Sequence, residues 1–151
     1  MAGMSGMKYR TFIVWNVIGA LIWAPGCVLL GYAFSKSLDV VGHELSHGVV
    51  TFTSNLVYRD QSGALNEHFA DVMGTLVRQY KRKETVKQAT WLIGQEILIP
   101  SPTRTAPRSM AAPGTAYSND PHLGSDPQPK HMDQLYTGYE DDGGVHINSG
   151  I

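Results

Sequence analysis

The sequence has a single cysteine, Cys27, in 151 residues. That excludes an internal disulfide framework and a cysteine cage around zinc. A surplus of charge is also missing: twelve lysines and arginines meet thirteen acids, for a net charge of −1. Overall charge therefore offers no case for nucleic-acid binding, and no nucleic-acid partner is expected. There is no internal repeat, heptad run or glycine-rich phosphate loop. What is present is 42% hydrophobic and 17% charged residues, a balance that excludes wholesale disorder. The length suits one ordinary domain, or a short membrane segment followed by a small domain. Acids are absent from residues 1–38, which carry only Lys8, Arg10 and Lys36, whereas residues 39–151 carry nine basic and thirteen acidic side chains. The expected division therefore falls near Leu38.

No charged residue occurs from Thr11 to Ser35. A helix over that stretch would rise roughly 37 Å, against a hydrocarbon core of about 30 Å. Trp15 and Tyr32 sit near its ends, as interfacial rings do. Asn16 and the Pro25-Gly26 pair weaken a helix but are tolerated in membranes. Residues 1–38 are expected to form a transmembrane or signal-anchor segment, with residues 11–35 in the membrane. A cleaved signal peptide, with small Gly31 and Ala33 before the cut, or a buried soluble helix are the alternatives. Lys8 and Arg10 precede the span, so residues 39–151 are expected on the extracytoplasmic side, or secreted. The run A-G-M-S-G-M-K-Y-R-T-F followed by W-N-V-I-G-A-L-I-W resembles the C-terminal part of DedA-type membrane proteins, which implies a membrane location and no chemistry.

The remainder reads as mainly α. Val40, Val41, His43, Leu45, His47, Val50 and Thr51 recur near helical spacing and predict a helix over 39–54. R-D-Q-S-G, residues 59–63, predicts a turn. Ala64 to Tyr80 predicts a second helix with Leu65, Phe69, Val72, Met73, Leu76 and Val77 on its apolar stripe. K-R-K-E at 81–84 reads as a solvated break, and Thr85 to Ile99 as a third helix. Seven of the eight prolines lie between Pro100 and Pro129, so that stretch is a long irregular connection of the kind that is functional or disordered. Gly143 and Gly144 allow a sharp turn before a helix beginning at Val145, with Asp141 or Asp142 at its N-terminus.

All six histidines lie at or after His43. In H-E-L-S-H, His43 and His47 are four apart and share one helix face, so both imidazoles can reach one metal ion. Zinc suits imidazole nitrogen, and a catalytic site adds a third protein ligand and an open position for water. Glu44 stands beside that face, where its carboxylate can take a proton from the activated water. Taken alone, the pair could equally be one buried and one solvated histidine. N-E-H-F-A-D, Asn66 to Asp71, places Glu67 and Asp71 on one face of the next helix. Glu67 becomes the third ligand, and Asp71 the acceptor of a ligating histidine's second N–H. His68 points off that face and reads as a surface or packing residue. His122 and His131 fall in or beside the proline-rich stretch and read as solvent-facing.

These residues stand in six ordered blocks: D-V-V-G-H-E-L-S-H-G-V-V, S-G-A-L-N-E-H-F-A-D-V-M-G, W-L-I-G, R-S-M-A-A-P-G-T-A-Y, D-P-Q-P-K-H-M and D-D-G-G-V-H-I-N-S-G-I. From Asp39 to Ile151 the chain resembles the thermolysin family of zinc metallopeptidases, in its protealysin-like branch. The resemblance implies that His43, His47 and Glu67 bind zinc and that Glu44 is the general base. It implies that Asn66 and Asp71 partner the zinc histidines, that Tyr58 and His146 stabilise the oxyanion, that Asp141 orients His146, and that Arg108 binds the substrate's carbonyl oxygen. Asp39 matches a calcium-ligand position of the family, but its partner positions fall on Arg78, Thr90, Leu92 and Gln95, a poor set for a hard dication.

The architecture so implied is a set of zincin-like helices with a long Pro/Gly-rich loop, a fragment of a two-domain α+β metallopeptidase behind a membrane segment. Residues 39–151 would be a partial catalytic domain acting on a peptide or protein substrate. The family's β-rich N-terminal domain has no counterpart here, and His146 falls five residues from Ile151 in a short helix that is marginal alone. Weak peptidase activity is the expectation. The alternative reading is a catalytically inactive, membrane-anchored zinc-binding protein.

Overall fold

The computed structural model describes residues 9–15, 17–19, 21, 31 and 37–151. The chain divides into two compact units, Met1–Ser35 and Lys36–Ile151. In the first, the described residues are helical and exposed. Among the described residues no helix is long and apolar enough to cross a membrane. The expectations placed on Asn16, the Pro25-Gly26 pair, Tyr32 and Ala33, and much of the 11–35 span and the DedA-like run, lie outside the described residues.

The second unit is built on two helices, α1 (Leu38–Phe52) and α2 (Asp60–Arg82). Asp39 closes the start of α1: its Oδ1 accepts from Ser37 Oγ at 2.6 Å and from the Val40 N–H at 3.0 Å. A carboxylate there also meets the positive end of the helix dipole. The helices cross at two glycines. A Cβ on Gly42 would stand 2.9 Å from the Gly74 Cα, and one on Gly74 would stand 2.2 Å from the Asp39 carbonyl oxygen. No other residue type allows the backbones so close.

The predicted turn at 59–63 is largely helix. Only Arg59 is extended and Asp60 takes a φ of 51°, so α2 starts four residues before the predicted Ala64. Within that added turn, the missing Cβ of Gly63 leaves the place taken by Val145 Cγ1, 2.4 Å away. Lys83 ends α2 in the left-handed conformation, its N–H reaching the Gln79 and Tyr80 carbonyls.

The apolar stripe expected to bury α2 is turned outward. Leu65, Phe69, Met73, Leu76 and Val77 are all exposed, and the buried face holds Asn66, Glu67, Asp71, Thr75, Arg78 and Gln79 instead. Buried polar groups are mostly partnered, and here α1 meets Asn66, Glu67 and Asp71, Arg108 also meets Asp71, and Met110 meets Thr75. Arg78, buried, donates to Thr90 Oγ1 at 3.1 Å and to the Leu92 carbonyl at 3.4 Å, with Asp39 Oδ2 at 3.9 Å.

No third helix forms over 85–99. Leu92–Ile93 is a short strand, β1, paired antiparallel with β2 (Arg108–Ser109) in the register Leu92↔Ser109 and Ile93↔Arg108. Trp91 and Gly94 both take positive φ, 57° and 68°, which a right-handed helix cannot contain. Gly94 in that conformation sends its N–H to Asp39 Oδ2 at 2.9 Å. Tertiary bonds to α1 and α2 thus override the local pattern.

The proline-rich stretch is irregular but well bonded: Asp120, buried, accepts from Thr103 Oγ1, Arg104 Nη1 and the N–H groups of His122 and Leu123. His122 and His131 are exposed. Small side chains fill the core beneath it, with Ala70, Ala106, Ala116, Ile93 and Val145 buried. No helix begins at Val145; residues 145–147 make a turn and Asn148–Gly150 a 3₁₀ turn. Ahead of them Asp141, Asp142, Gly143 and Gly144 all take positive φ. At Gly143 and Gly144 a Cβ would strike Asp60 Oδ1 and Tyr136 Cδ1 as well.

The glycine crossing yields a test. Gly to Ala in a helix interior ordinarily stabilises by about 1 kcal/mol. Gly74→Ala should instead lower the unfolding free energy by on the order of 1–3 kcal/mol, an overpacking cost, measured by urea denaturation. A stabilised variant would show that the helices have room to part.

Candidate metal centre

α1 directs His43 and His47 toward α2, and α2 returns Glu67 from the facing side. His43 Nε2 and His47 Nε2 lie 3.0 Å apart, His47 Nε2 is 3.3 Å from Glu67 Oε1, and His43 Nε2 is 3.4 Å from Glu67 Oε2. The other ring nitrogens are already engaged. His43 Nδ1 sits 2.8 Å from Asp71 Oδ1, and His47 Nδ1 sits 2.9 Å from Asn66 Oδ1. An oxygen beside each Nδ1 orients its ring, so both Nε2 atoms turn to the same point. Glu67 has no exposure at all, and its Oε2 makes no hydrogen bond.

Two imidazole nitrogens and a buried carboxylate oxygen that converge within 3.4 Å of one another can hold a cation in place of the protons they otherwise share. Ligands about 2.0–2.1 Å from a tetrahedral zinc lie roughly 3.3 Å from one another, close to the separations here. Nitrogen, nitrogen and oxygen from three side chains suit zinc. His43, His47 and Glu67 could therefore hold it.

The remaining predicted residues gather around the triad. A cleft of about 590 Å³ beside it is lined by His43, Glu44, His47, Tyr58, Asn66, Glu67 and His146. Glu44 is exposed toward it. Tyr58, in the connection from α1 to α2, donates from its hydroxyl to Glu67 Oε1 at 2.5 Å and lies 3.4 Å from His146 Nε2. His146 Nε2 is 3.3 Å from Glu67 Oε2. On its far side, His146 Nδ1 meets Asp141 Oδ1 at 2.6 Å, and Asp141 Oδ2 accepts the His146 N–H at 2.7 Å. Arg108, at β2, grips Asp71 with two bonds, Nε to Oδ2 at 2.8 Å and Nη2 to Oδ1 at 2.7 Å. Asp71 thus joins His43 to Arg108, a link that the spacing within N-E-H-F-A-D gave no sign of.

Protonation follows these contacts. Burial alone would lower His43, but bonds to Asp71 and Glu67 outweigh it and raise the imidazole from 6.5 to about 9. Burial would raise Glu67, yet His43 and Tyr58 bring it from 4.5 down to about 2. Burial and then Glu67 push the Tyr58 phenol above its usual range. Asp71, opposed by burial, is held low by His43 and Arg108, and Arg108 is held high by Asp71.

Three contacts were not read from the sequence. His68 Nδ1 bonds the Ser149 carbonyl at 2.8 Å, so this histidine packs α2 against the segment after His146. Tyr136 and Asn148 exchange two hydrogen bonds, 3.0 and 2.9 Å. Gln128 reaches the His146 carbonyl at 2.9 Å. None carries a spacing signal, since partners 12 or more positions apart leave no local period to find.

Residues 54–151 match the family described as thermolysin metallopeptidase, alpha-helical domain. Among curated proteins, Protease PrtS of Photorhabdus sp. (strain Az29) is 49% identical over 135 residues, 88% of this chain and 36% of the relative. The extracellular metalloprotease of Pectobacterium carotovorum subsp. carotovorum is 52% identical over 118 residues, 78% of this chain and 34% of the relative. Among solved structures, the precursor of protealysin, a metalloproteinase from Serratia proteamaculans, superposes with a TM-score of 0.74 at 51% identity. The match covers 78% of this chain and 36% of that one. The chain spans about a third of the length of these relatives.

The protonation pattern predicts how the chelated protein responds to pH. His43, raised to about 9, contributes stability that is complete below its unfolded 6.5 and lost as pH rises through 9. Glu67, lowered to about 2, contributes stability that is present above its unfolded 4.5 and lost as pH falls through 2. Thermal melts in a chelator should therefore peak between pH 4.5 and 6.5 and decline toward pH 9. A melting temperature unchanged from pH 6.5 to 9 would contradict the assigned contacts.

Proposed function

The chain belongs to the thermolysin metallopeptidase family, and from that premise we propose that it is a zinc-dependent metalloendopeptidase that hydrolyses peptide bonds in peptide or protein substrates. The observation that carries the reading is the convergence of His43 Nε2, His47 Nε2 and the buried Glu67 carboxylate on one point, beside a Glu44 that faces the same cleft. Zinc held by His43, His47 and Glu67 supplies Lewis-acid polarisation of a water and of the scissile carbonyl.

The chain's own groups do the rest. Glu44 is exposed to the cleft, so its carboxylate is free to take a proton from the attacking water and pass it to the leaving amine. Tyr58 keeps its proton, since burial and Glu67 raise the phenol, and so serves as a donor to the developing oxyanion. His146 offers Nε2 to the same oxygen while Asp141 holds Nδ1 and orients the ring. Arg108 commits Nε and Nη2 to Asp71 and keeps Nη1 for a substrate carbonyl. Calcium has no part in this proposal, because Arg78 brings its own positive charge among Asp39, Thr90 and Leu92. The uncharged stretch 11–35 behind Lys8 and Arg10 supports residues 39–151 lying outside the cytoplasm, anchored or secreted.

Metal content and cleavage separate this reading from an inactive zinc-binding protein. Wild type and Glu44→Gln should each hold about one zinc per chain, and Glu67→Ala should hold far less. Chelator-sensitive cleavage of casein or a blocked dipeptide should fall about 100- to 10,000-fold in Glu44→Gln, the range for a lost general base. Zinc retained with equal cleavage in wild type and Glu44→Gln would favour the inactive binding protein.

A further inference from the structure

We propose that Gln128 is a positioning residue for His146, holding the carbonyl side of its peptide unit while Asp141 holds the N–H side. Gln128 Nε2 donates to the His146 carbonyl at 2.9 Å and to Ser149 Oγ at 3.0 Å, and Ser149 Oγ donates to that same carbonyl at 2.9 Å. From the opposite side Asp141 Oδ2 accepts the His146 N–H and Asp141 Oδ1 meets the ring. Two side chains from separate parts of the chain therefore clamp one histidine at backbone and ring. That leaves Nε2 facing Tyr58 and Glu67.

The surroundings are shaped around this glutamine. It sits between Pro127 and Pro129 in D-P-Q-P. Each proline fixes its own φ and pushes the residue before it toward extended backbone, so Asp126 and Gln128 are both pre-set. Asp126 then anchors the segment, taking the Gln128 N–H at 3.1 Å and the Ala116 N–H at 3.0 Å. Gly114, at a φ of 79°, has no Cβ to strike the Gln128 carbonyl, which lies 2.7 Å from where that atom would be. The side chain is 7% exposed, and its Oε1 has no hydrogen-bond partner. A buried unpaired amide oxygen costs stability that an apolar side chain of equal length would not. The donor end is what that cost secures.

The kinetic consequence rests on the peptidase reading above, but the clamp itself can be read without activity. In zinc-loaded full chain, the hydrogen-bonded Nδ1–H proton of His146 should give a resolved NMR signal, assigned by its absence in His146→Ala. Gln128→Met, which keeps length, and Gln128→Glu, which keeps polarity but cannot donate when ionised, should both lose or broaden that signal while holding zinc at the wild-type level. Where cleavage is measurable, kcat should fall about 10- to 100-fold with KM within about twofold, as a displaced catalytic group produces. A His146 signal intact in both variants overturns the proposal. So does loss of zinc and of cooperative melting in both, which would make Gln128 a purely structural residue. Wild type without cleavage counts against the peptidase reading, and the NMR signal then decides the clamp by itself.

Discussion

The close crossing of α1 and α2 at Gly42 and Gly74 is the constraint on which the rest of this structure hangs. With 2.9 Å between a notional Gly42 Cβ and the Gly74 Cα, the helix backbones touch. Next to Gly42, His43 meets Asp71, and a turn further along α1 His47 meets Asn66. Each histidine is then held at Nδ1 by a side chain of the other helix, and Glu67 lies between them. Ordinary side chains at the crossing would hold helices about 8–10 Å apart on their axes, and carboxylate and imidazole would lose direct contact. The same crossing exposes the Asp39 carboxylate to Gly94 and Arg78, so the loop that leads to β1 and Arg108 is also set by it.

Buried charge is what the crossing makes possible. Glu67, Asp71 and Arg78 are all nearly inaccessible, and ions so placed are costly unless paired and hydrogen-bonded. Asp71 pairs with both His43 and Arg108. Glu67 is met by Tyr58 at one oxygen and surrounded at the other by His43, His146 and Arg108 at 3.3–3.7 Å. That second oxygen makes no hydrogen bond, and the Nε2 atoms of His43 and His47 converge beside the same carboxylate. A divalent cation resolves all three at once. The outward apolar stripe of α2 is the complement: with its inner face given over to these groups, Leu65, Phe69, Met73 and Leu76 have nowhere to go but out.

Much of the centre was legible because helical period is local. His43 with His47, and Glu67 with Asp71, declare a shared face by spacing alone, and Glu44 follows from its neighbours. Asp71 as partner of a zinc histidine required the second helix to fold back on the first, which short chain between two periodic runs makes natural. Asn66, Tyr58, Arg108, Asp141 and His146 were named through the resemblance, since no period in the sequence ties them to the histidine pair. Gln128 was invisible, a lone amide in a proline-rich stretch. The strand at Leu92–Ile93 was misread as helix because its cause, the Gly94 N–H bonding Asp39, acts over 55 positions.

The central claim is that His43, His47 and Glu67 together hold one zinc with a water in the open place. The zinc-edge X-ray absorption spectrum of the loaded protein tests it most directly. The account predicts two imidazole nitrogens and oxygen ligands at about 2.0–2.1 Å, with no sulfur. A shell with three imidazoles, or one of six oxygens with none, would contradict it.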